Sequence, residues 1–414
     1  MNILFLCDEY PPGHHGGIGT AVQLLARTLA AQGHRVVVTG LYDWGYGELD
    51  RFEDRGVLVY RFRQVLDTRL LRDKKSVAVR AALRLMKVTG VLQWDVDRSL
   101  KRYGRFVNAL IAEHRIDLVE MPDFQSYMGS CLRAVHLPML AAPTIVKLHG
   151  STTYFAKEAG QSVPEHVYAM DRELLCRADA VTSVSHYTAR MTARYMEYTR
   201  PIHVLHNGID IPDLPPVANE HGRVVFSGSL IEKKGIYQLI KAWNLVHRQL
   251  PAARLAVYGK GPTEQIAGLL EPTARQSVHF HGHIDRTALQ SKLAAASLAV
   301  FPSYAECFAL APMEAMAMGT AIIYSTRTSG PELIAHGENG YLCDPDDVQE
   351  LARQIVELLQ DDESRARLAQ AGQTHVRERF SMHRIAEDHI EWYQRVLAQG
   401  RQPGLPVHRT GSDG

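Results

Sequence analysis

Residues 303–325 read SYAECFALAPMEAMAMGTAIIYS, the stretch of the chain that decides the fold. It starts in the loop after one apolar run, LAVFPS, continues through an Ala- and Met-rich helical segment, and ends in a second apolar run, AIIYS. Two such runs joined by a helix predict parallel strands, and ligands bind at the carboxyl ends of parallel strands. Glu306 lies in the loop and Glu314 lies in the helix. This placement directs two carboxylates into one crevice, where one can accept hydrogen bonds from sugar hydroxyls and the other from ribose hydroxyls.

Short apolar runs alternate with longer amphipathic segments along the whole chain. At the start, NILFLC, GIGTAVQLLARTLAAQGH and RVVVTGL predict a strand, a helix and a strand. The later runs are apolar on both faces, as in a buried parallel sheet. Before position 211 these runs are IDLVEM, TIVKLHG, DAVTSVS and IHVLHNG, and after position 222 they are RVVFSGS, ARLAVYG, SVHFHG, LAVFPS and AIIYS.

A Pro-rich segment, IPDLPPVANEHG at 211–222, separates these two sets of runs and reads as a linker. The sequence therefore predicts an α/β protein with two doubly wound, Rossmann-like parallel-sheet domains that face each other across a cleft. The predicted parts are an N-terminal domain at 1–210, the linker, a C-terminal domain at 223–380, a helix at 381–400 that packs back on the N-terminal domain, and a flexible tail at 401–414.

The composition of the chain narrows its class. The 414 residues are 46% hydrophobic and 22% charged, which is typical of globular proteins. Lys plus Arg number 46 against 45 for Asp plus Glu, so no overall field favours nucleic acid as a partner. The five cysteines are widely spaced, as expected of reduced thiols, and no apolar run reaches the roughly 18 residues of a spanning helix. We expect a cytoplasmic protein.

A glycine-rich loop, DEYPPGHHGGIGTAVQ, follows the first predicted strand. Gly16, Gly17 and Gly19 lead into a helix, and the free N–H groups at a helix start bind anionic oxygens. Three glycines before a helix favour contact with a diphosphate over a plain turn. The spacing differs from the dinucleotide fingerprint, because no G-x-G-x-x-G directly follows the strand.

Two further positions carry chemistry. His149 ends the run TIVKLHG, so its imidazole is expected at the functional edge of the first sheet. Lys234 belongs to GSLIEKKG at 228–235, which follows the run RVVF. A lysine at the start of a helix can meet phosphate where the helix N–H groups already favour anions.

These motifs together resemble those of the retaining glycosyltransferases of family 4, which have the GT-B fold. The Glu306–Glu314 pair is similar to the family's E-x7-E, the first loop to E-[YF]-P-P-x-x-G-G, His149–Gly150 to its His-Gly element, and GSLIEKKG to G-R-L-x-x-x-K-G. The resemblance implies sugar transfer from a nucleotide-diphosphate sugar to a hydroxyl of a glycan or lipid-linked acceptor, in cell-envelope or exopolysaccharide synthesis. It implies neither a metal nor another cofactor.

The resemblance also assigns roles to individual residues. His149 and Glu306 are implied as catalytic residues, with His149 beside the transferred sugar. The implied donor-binding residues are Gly16, Gly17, Ser229, Lys234, Phe308, Ala309, Leu310 and Glu314. The sequence departs from the family at Ser229, where the family has an arginine. Either Lys233, Lys260 or another base substitutes for it, or diphosphate binding is weaker than usual in the family. It departs again at Cys307 and Ala309, where the family has glycines.

Two other functions fit the same fold. One is a GT-B epimerase that cleaves and re-forms the bond to a nucleotide on the same sugar. The other is a regulatory protein that binds nucleotide sugars without turning them over, which the changes at Ser229, Cys307 and Ala309 suggest. A metal site at His279, His281 and His283 is disfavoured, because no Cys or acidic ligand joins them in spacing. Asp344 and Asp346 lie in a loop before a predicted helix and are expected to cap it rather than to bind a metal.

The segment from Arg61 to Arg105 is basic, with thirteen Lys or Arg against four Asp or Glu, an excess of 13 − 4 = 9 charges. Leu, Val and Met are interleaved with these charges at partly helical spacing, as in a helix that lies on a membrane surface. An anionic membrane, at its inner face, is therefore a candidate partner. The alternative is a solvated helical face of the first domain.

Overall fold

The computed structural model describes residues 1–42, 46–64, 66, 76–212, 217 and 220–401. These residues form two compact units. Unit 1 comprises Met1–Val184, Thr188–Leu205 and the chain from Ile385 onward, and unit 2 comprises Ser185–Tyr187 and His206–Arg384. The predicted linker lies partly outside the described residues, at 213–216 and 218–219, and so does the predicted tail after Arg401.

Unit 1 contains an eight-stranded sheet in the order β3-β4-β2-β1-β5-β6-β7-β8. Only β3 runs antiparallel to its neighbour. The central strands are rich in Val, Ile and Leu that are buried on both faces, which is why they suit a parallel sheet covered by helices. The strands are β1 (Asn2–Leu6), β2 (Arg35–Tyr42), β3 (Arg51–Asp54), β4 (Val57–Arg63), β5 (Leu118–Pro122), β6 (Thr144–Leu148), β7 (Ala180–Ser183) and β8 (Ile202–Val204).

Helices connect these strands, and their apolar faces pack on the sheet around a core that includes Val119 and Val146. They are α1 (Gly17–Ala31), α2 (Val77–Val88), α3 (Val91–His114), α4 (Thr152–Glu158), α5 (Glu165–Arg177) and α6 (His186–Tyr195), of which α6 belongs to unit 1 from Thr188 onward.

Unit 2 contains a six-stranded, all-parallel sheet in the order β11-β10-β9-β12-β13-β14. Its strands are β9 (Glu220–Ser227), β10 (Arg254–Tyr258), β11 (Val278–Gly282), β12 (Ala296–Phe301), β13 (Ala321–Ser325) and β14 (Tyr341–Cys343). Its core includes Trp243 and Val300. Its helices are α7 (Ile236–Gln249), α8 (Thr263–Ala267), α9 (Arg286–Ala294), α10 (Leu310–Ala317), α11 (Gly330–Leu333), α12 (Val348–Gln360) and α13 (Asp362–Arg379). The last helix, α14 (Met382–Gln399), belongs to unit 1 from Ile385 onward.

Each sheet has one point where the strand order reverses. In unit 1 the first strand, β1, lies between β2 and β5, and in unit 2 the first strand, β9, lies between β10 and β12. The loops that leave the carboxyl ends of two such neighbours diverge to opposite faces and open a crevice. Functional side chains are therefore expected in the loops after β1 and β5, and in those after β9 and β12.

The prediction of two parallel-sheet α/β domains is confirmed, and each run that was predicted to be a strand contains one. The sequence did not reveal β3, β4 and β14. The edge strand β3 is largely exposed, and β14 is only three residues long, too short to show a period. Strand β9 begins at Glu220, so the last three residues of 211–222 belong to the second sheet.

Arg61 lies in β4, which corrects its assignment to a basic surface. Its side chain is buried, and its guanidinium donates to the carbonyl oxygens of Leu49 at 3.1 Å and Pro12 at 2.6 Å. The basic surface therefore starts later in the chain. Over the described residues, no helix is both long enough and apolar enough to cross a bilayer.

Candidate active site

The glycine loop after β1 is closed by its own carboxylate. Glu9 Oε2 accepts from the amide of Gly16 at 3.2 Å, and Glu9 Oε1 accepts from the amide of Gly19 at 2.7 Å. Burial raises the pKa of Glu9, and the two amides oppose that shift. The start of α1 therefore binds carboxylate oxygens of the protein itself, and contact of this loop with a diphosphate stays a prediction.

Two glycines of this loop, Gly17 and Gly19, differ in the space that a side chain would find. A Cβ on Gly19 would come within 2.1 Å of the carbonyl oxygen of Glu9, so Gly19 is required by backbone packing. A Cβ on Gly17 would meet nothing within 4 Å. Packing in the described structure thus leaves open space at Gly17, which is where a ligand can approach the backbone.

The next loop in the sheet, after β5, supplies Asp123. Its Oδ1 accepts from the amide of His149 at 2.8 Å, and its Oδ2 accepts from the amide of Gly150 at 3.2 Å. Asp123 itself is tied to β6, because its amide donates to the carbonyl oxygen of Lys147 at 3.0 Å. One buried carboxylate therefore fixes the turn that carries the His-Gly element.

The titration of this turn is strongly shifted. Burial raises the pKa of Asp123 to about 7. Burial and the neighbouring Lys147 lower the pKa of His149 to about 3. The imidazole of His149 is therefore neutral near pH 7, when it can both donate and accept a hydrogen bond.

In unit 2, Lys234 and Glu306 form a salt bridge between the loops after the neighbouring strands β9 and β12. The two residues are 72 positions apart in sequence. The loops are also joined through the backbone, since the amide of Tyr304 donates to the carbonyl oxygen of Lys233 at 2.8 Å. The structure thus brings together the predicted phosphate lysine and the predicted catalytic glutamate at the reversal point of the second sheet.

Gly235 explains how Lys234 is presented there. Gly235 has a φ of +70°, and a Cβ on it would lie 1.8 Å from the carbonyl oxygen of Pro302. The lysine therefore stands on a short 3-10 turn, Glu232–Lys234, that only glycine can end so close to the neighbouring loop.

Ser229 is exposed at the start of the same loop. The amide of the following residue, Leu230, donates to the carbonyl oxygen of Lys260 at 2.9 Å. Lys260 is also exposed, so the backbone places this second candidate phosphate lysine beside the position where the family has its arginine.

Glu314, on α10, pairs with Arg286 at the start of α9. Arg286 Nε lies 2.8 Å from Glu314 Oε1, and the glutamate side chain is 12% exposed. Burial raises the pKa of Glu314, while the charge and hydrogen bond of Arg286 oppose that shift. Arg286 was missed in the sequence, because an arginine early in a helix is common and gives no signal of its partner.

Phe308, Ala309 and Leu310 stand where α10 begins. The Phe308 ring is buried against His206 and Phe380, at centroid distances of 4.7 Å and 5.3 Å. The ring of Phe308 is therefore closed to a nucleotide-sugar donor, and only the backbone of this residue is available to it. The carbonyl oxygen of Phe308 accepts a hydrogen bond from Asn207 Nδ2 at 3.1 Å. Ala309 precedes the helix and has no side chain that could cap the N–H groups of its first turn.

Among the described residues, one group has the ligand atoms of a metal centre close together, namely His186, His206 and Glu332, all within 4.8 Å. The carboxylate of Glu332 also accepts from the amides of His186 at 2.8 Å and Tyr187 at 2.7 Å, so it caps the start of α6. Burial raises the pKa of Glu332, but hydrogen bonds from His206 and these two amides outweigh burial and lower the pKa below its usual value.

The aspartates Asp344 and Asp346 are occupied by other partners. Both pair with Arg327, at 2.8 Å and 2.9 Å, and Asp346 also accepts from the hydroxyl of Tyr304 at 2.6 Å. The cap of α12 is Asp347 instead. These contacts tie the loop after β12 to the chain beyond β14.

Sequence reasoning missed three residues that shape these sites: Glu9, Asp123 and Arg286. Asp123 carried a usable signal, because an aspartate directly after a buried strand stands at the functional edge of a parallel sheet. Glu9 is the first residue of the matched motif E-[YF]-P-P-x-x-G-G, but its amide partners are set by the folded loop. Arg286 carried no signal, since its role depends on a partner that only the folded chain brings within reach.

Two family profiles match the chain, and the boundary between them falls in the Pro-rich segment. The sequence profile described as "Glycosyltransferase Family 4" matches residues 15–212, and that described as "Glycosyl transferases group 1" matches residues 215–375. Glycogen synthase from Mycobacterium tuberculosis is 26% identical, and the match covers 98% of both chains.

Solved structures show the same architecture. Sucrose-phosphate synthase from Thermosynechococcus elongatus superposes with a TM-score of 0.74 at 22% identity, over 97% of this chain and 100% of that one. HepE from Anabaena, solved with UDP and glucose, superposes with a TM-score of 0.69 at 19% identity, over 95% of this chain and 100% of that one.

Proposed function

Because the chain belongs to the group 1 glycosyltransferases of the GT-B fold, we propose that it transfers a sugar from a nucleotide-diphosphate sugar to a hydroxyl acceptor, with retention of anomeric configuration. The observation that carries this proposal is the Lys234–Glu306 pair, held by neighbouring loops at the reversal point of the second sheet. Parallel sheets bind nucleotides at such points.

In the proposed reaction, the bond between the anomeric carbon and the diphosphate oxygen breaks, and a bond from that carbon to the acceptor oxygen forms. The acceptor proton passes to an oxygen of the leaving phosphate, on the same face of the sugar. Lys234 stabilises the charge that develops on the diphosphate, together with the uncapped N–H groups at the start of α10. This arrangement supplies positive charge from the protein, so we propose that no divalent metal is needed.

The remaining residues position the sugar. Glu306 accepts hydrogen bonds from sugar hydroxyls, Glu314 accepts them from the ribose, and the backbone at Gly17 meets an anionic oxygen. The imidazole of His149 is neutral and stands on the turn whose backbone amides Asp123 holds, and it hydrogen-bonds the transferred sugar. Catalysis then consists mainly of positioning and electrostatic stabilisation.

We further propose an acceptor at an anionic membrane, in cell-envelope or exopolysaccharide synthesis on the cytoplasmic side. Helix α2 has no buried residue, and its side chains Val77, Leu85 and Val88 are 73%, 64% and 79% exposed. On a helical projection, Arg80 and Arg84 flank this apolar strip on one side. Cations beside an apolar strip are the pattern of a helix that lies in a membrane interface.

The start of α3 extends this surface. Trp94 is 49% exposed, and the guanidinium of Arg98 lies 5.3 Å from the centre of its ring. Tryptophan favours the boundary between water and lipid, because its ring is apolar and its N–H needs a polar partner. Arg72, Lys74 and Lys75, which the sequence also assigns to this surface, lie outside the described residues.

Incubation of the purified protein with UDP-, ADP- and GDP-sugars tests the proposed reaction. We expect one donor to lose its nucleoside diphosphate, with EDTA present and without it, and NMR to show the released or transferred sugar with the donor's anomeric configuration. An inverted product overturns retention, and loss of activity in EDTA overturns metal independence. A re-formed nucleotide sugar with an inverted ring carbon identifies an epimerase, and binding without turnover identifies a regulatory protein.

A further inference from the structure

Arg286 has a buried nitrogen that makes no hydrogen bond to the described residues. Its Nε bonds Glu314 Oε1 at 2.8 Å, and its Nη1 lies 3.6 Å from Asp210 Oδ2. Its Nη2 is buried and has no hydrogen-bond partner among the described residues. Leaving a buried donor without a partner costs free energy, so the arrangement suits an acceptor that a ligand supplies.

Glu314 shows the complementary feature. Its Oε1 is held by Arg286, whereas no described residue donates a hydrogen bond to its Oε2. A carboxylate that is fixed at one oxygen presents the other in a defined direction. The pair therefore offers a ligand one acceptor, Oε2, and one donor, Nη2, on adjacent side chains.

The arginine also keeps the acceptor charged. Burial raises the pKa of Glu314, and Arg286 is the cation that opposes this shift. Asp210, the other charged group near the pair, raises the pKa of Glu314, as burial does. Without the guanidinium, a larger fraction of Glu314 would be protonated and would be a poorer acceptor for a hydroxyl group.

We propose that Arg286 is a positioning residue for the donor nucleotide, which orients Glu314 Oε2 toward the ribose hydroxyls and donates from Nη2 to an oxygen of the same nucleoside. This inference rests on the proposed function, because it requires a nucleoside diphosphate at Glu314. It gives α9 a role in selecting ribonucleotides. None of the sequence motifs described above implies that role.

Calorimetry with matched nucleotides tests this role. The probe is whichever of UDP, ADP and GDP binds the wild-type protein most tightly, together with its 2′,3′-dideoxy form. We expect the wild type to prefer the ribose form by about 10-fold or more, the value of a hydrogen bond to a charged group. In Arg286→Met we expect this preference to fall to about threefold or less. Arg275→Met, which removes an exposed arginine of the same unit, should keep the wild-type ratio.

Two further measurements separate the outcomes. Arg286→Lys keeps the charge but not the planar fork, so its preference should be intermediate; it replaces the methionine variant if circular dichroism shows that variant unfolded. A wild-type ratio in the folded Arg286 variant overturns the inference and leaves the proposed function standing. The nucleoside monophosphate pair should show the same fall, and a fall confined to diphosphates overturns a role at the ribose. If the wild type binds no nucleoside diphosphate, the proposed function itself fails.

Discussion

Lys147 Nζ lies 2.7 Å from His389 Nε2 inside unit 1, where both side chains are buried. His389 Nδ1 is 2.6 Å from the carbonyl oxygen of Ile385, so Nδ1 donates there and Nε2 accepts from the lysine. One turn further along α14, the hydroxyl of Tyr393 donates to Glu120 Oε2 at 2.7 Å. Strands β5 and β6 are thereby joined to the last helix through polar groups in the core.

This network predicts an acid-sensitive contribution to stability from His389. Burial, and then Lys147, lower the pKa of His389 well below its usual 6.5. Below pH 6.5 the unfolded chain binds a proton at this histidine and the folded chain does not, so falling pH favours unfolding. The variant His389→Gln has no group that titrates at this position, so its free energy of unfolding should fall less steeply as the pH is lowered.

Urea unfolding at several pH values from 7.5 down to about 5 measures the difference. We expect the stability of the wild type, relative to His389→Gln, to fall by up to about 1.4 kcal/mol for each pH unit below 6.5. Parallel curves for the two proteins would show that His389 does not stay neutral in the folded state.

The raised pKa of Asp123 predicts that activity, rather than stability, is lost as the pH falls. Its pKa of about 7 means that the carboxylate is ionised above that pH and accepts from both amides of the His149–Gly150 turn. Protonation of Asp123 below pH 7 weakens these two hydrogen bonds. It does not weaken folding, because the folded state binds this proton more tightly than the unfolded chain, whose usual value is 3.8.

We therefore expect kcat/KM to fall as the pH drops through about 7 while the protein stays folded. Asp123→Asn should lower kcat/KM by roughly 10- to 150-fold at pH 8, since one charged acceptor is lost, and should remove this ascending limb. A limb that persists in the asparagine variant would assign the titration to another group.

Lys234 is expected to bear most of the donor diphosphate's charge, because Ser229 carries none. Replacing Lys234 with alanine should cost about 1.5–3 kcal/mol, or roughly 10- to 150-fold in affinity for the nucleoside diphosphate. Calorimetry measures the change, with Lys241→Ala on the exposed face of α7 as the matched control. Unchanged affinity in Lys234→Ala would move the phosphate site to another base, with Lys260 the next to test.

The two glutamates should separate turnover from binding. Glu306→Ala is expected to lower kcat by about 100-fold or more, because a charged contact in the reacting site is lost, with a smaller effect on thermal stability. Glu314→Ala should mainly weaken donor affinity. Steady-state kinetics and calorimetry measure both, with Glu264→Ala at an exposed position of α8 as the control. Near-normal transfer by both variants would refute the assignment.

Helix α2 should bind anionic vesicles in a salt-dependent manner. Each basic side chain near such a surface contributes about 1 kcal/mol, so replacing Arg80 and Arg84 with serine should weaken binding by roughly 30-fold. Replacing Leu85 and Val88 with serine should weaken it at low and high salt alike, because that change removes apolar contact.

Sedimentation with phosphatidylglycerol-containing vesicles, at low and high salt, measures this binding. Lys241→Ser with Arg275→Ser removes the same charge from exposed positions of unit 2 and should leave binding unchanged. If the wild-type protein does not sediment with anionic vesicles at low salt, α2 is a solvated face and has no role at membranes.

The sequence by itself determined the two parallel sheets and the residues of the known motifs. Apolar runs such as those of β1 and β12 report burial on both faces, and that signal lies within a few neighbouring residues. Motif positions such as Lys234, Glu306 and Glu314 are likewise recognised from their immediate neighbours.

Only the tertiary structure decided which groups meet. It paired Lys234 with Glu306 across 72 positions and Arg286 with Glu314 across 28, and it set Asp123 on the turn of His149 across 26. It also buried Arg61, which the basic pattern had placed on the surface. Local periodicity cannot report such pairings, because they depend on the order of the strands, and this order brings loops distant in sequence to the same edge of a sheet.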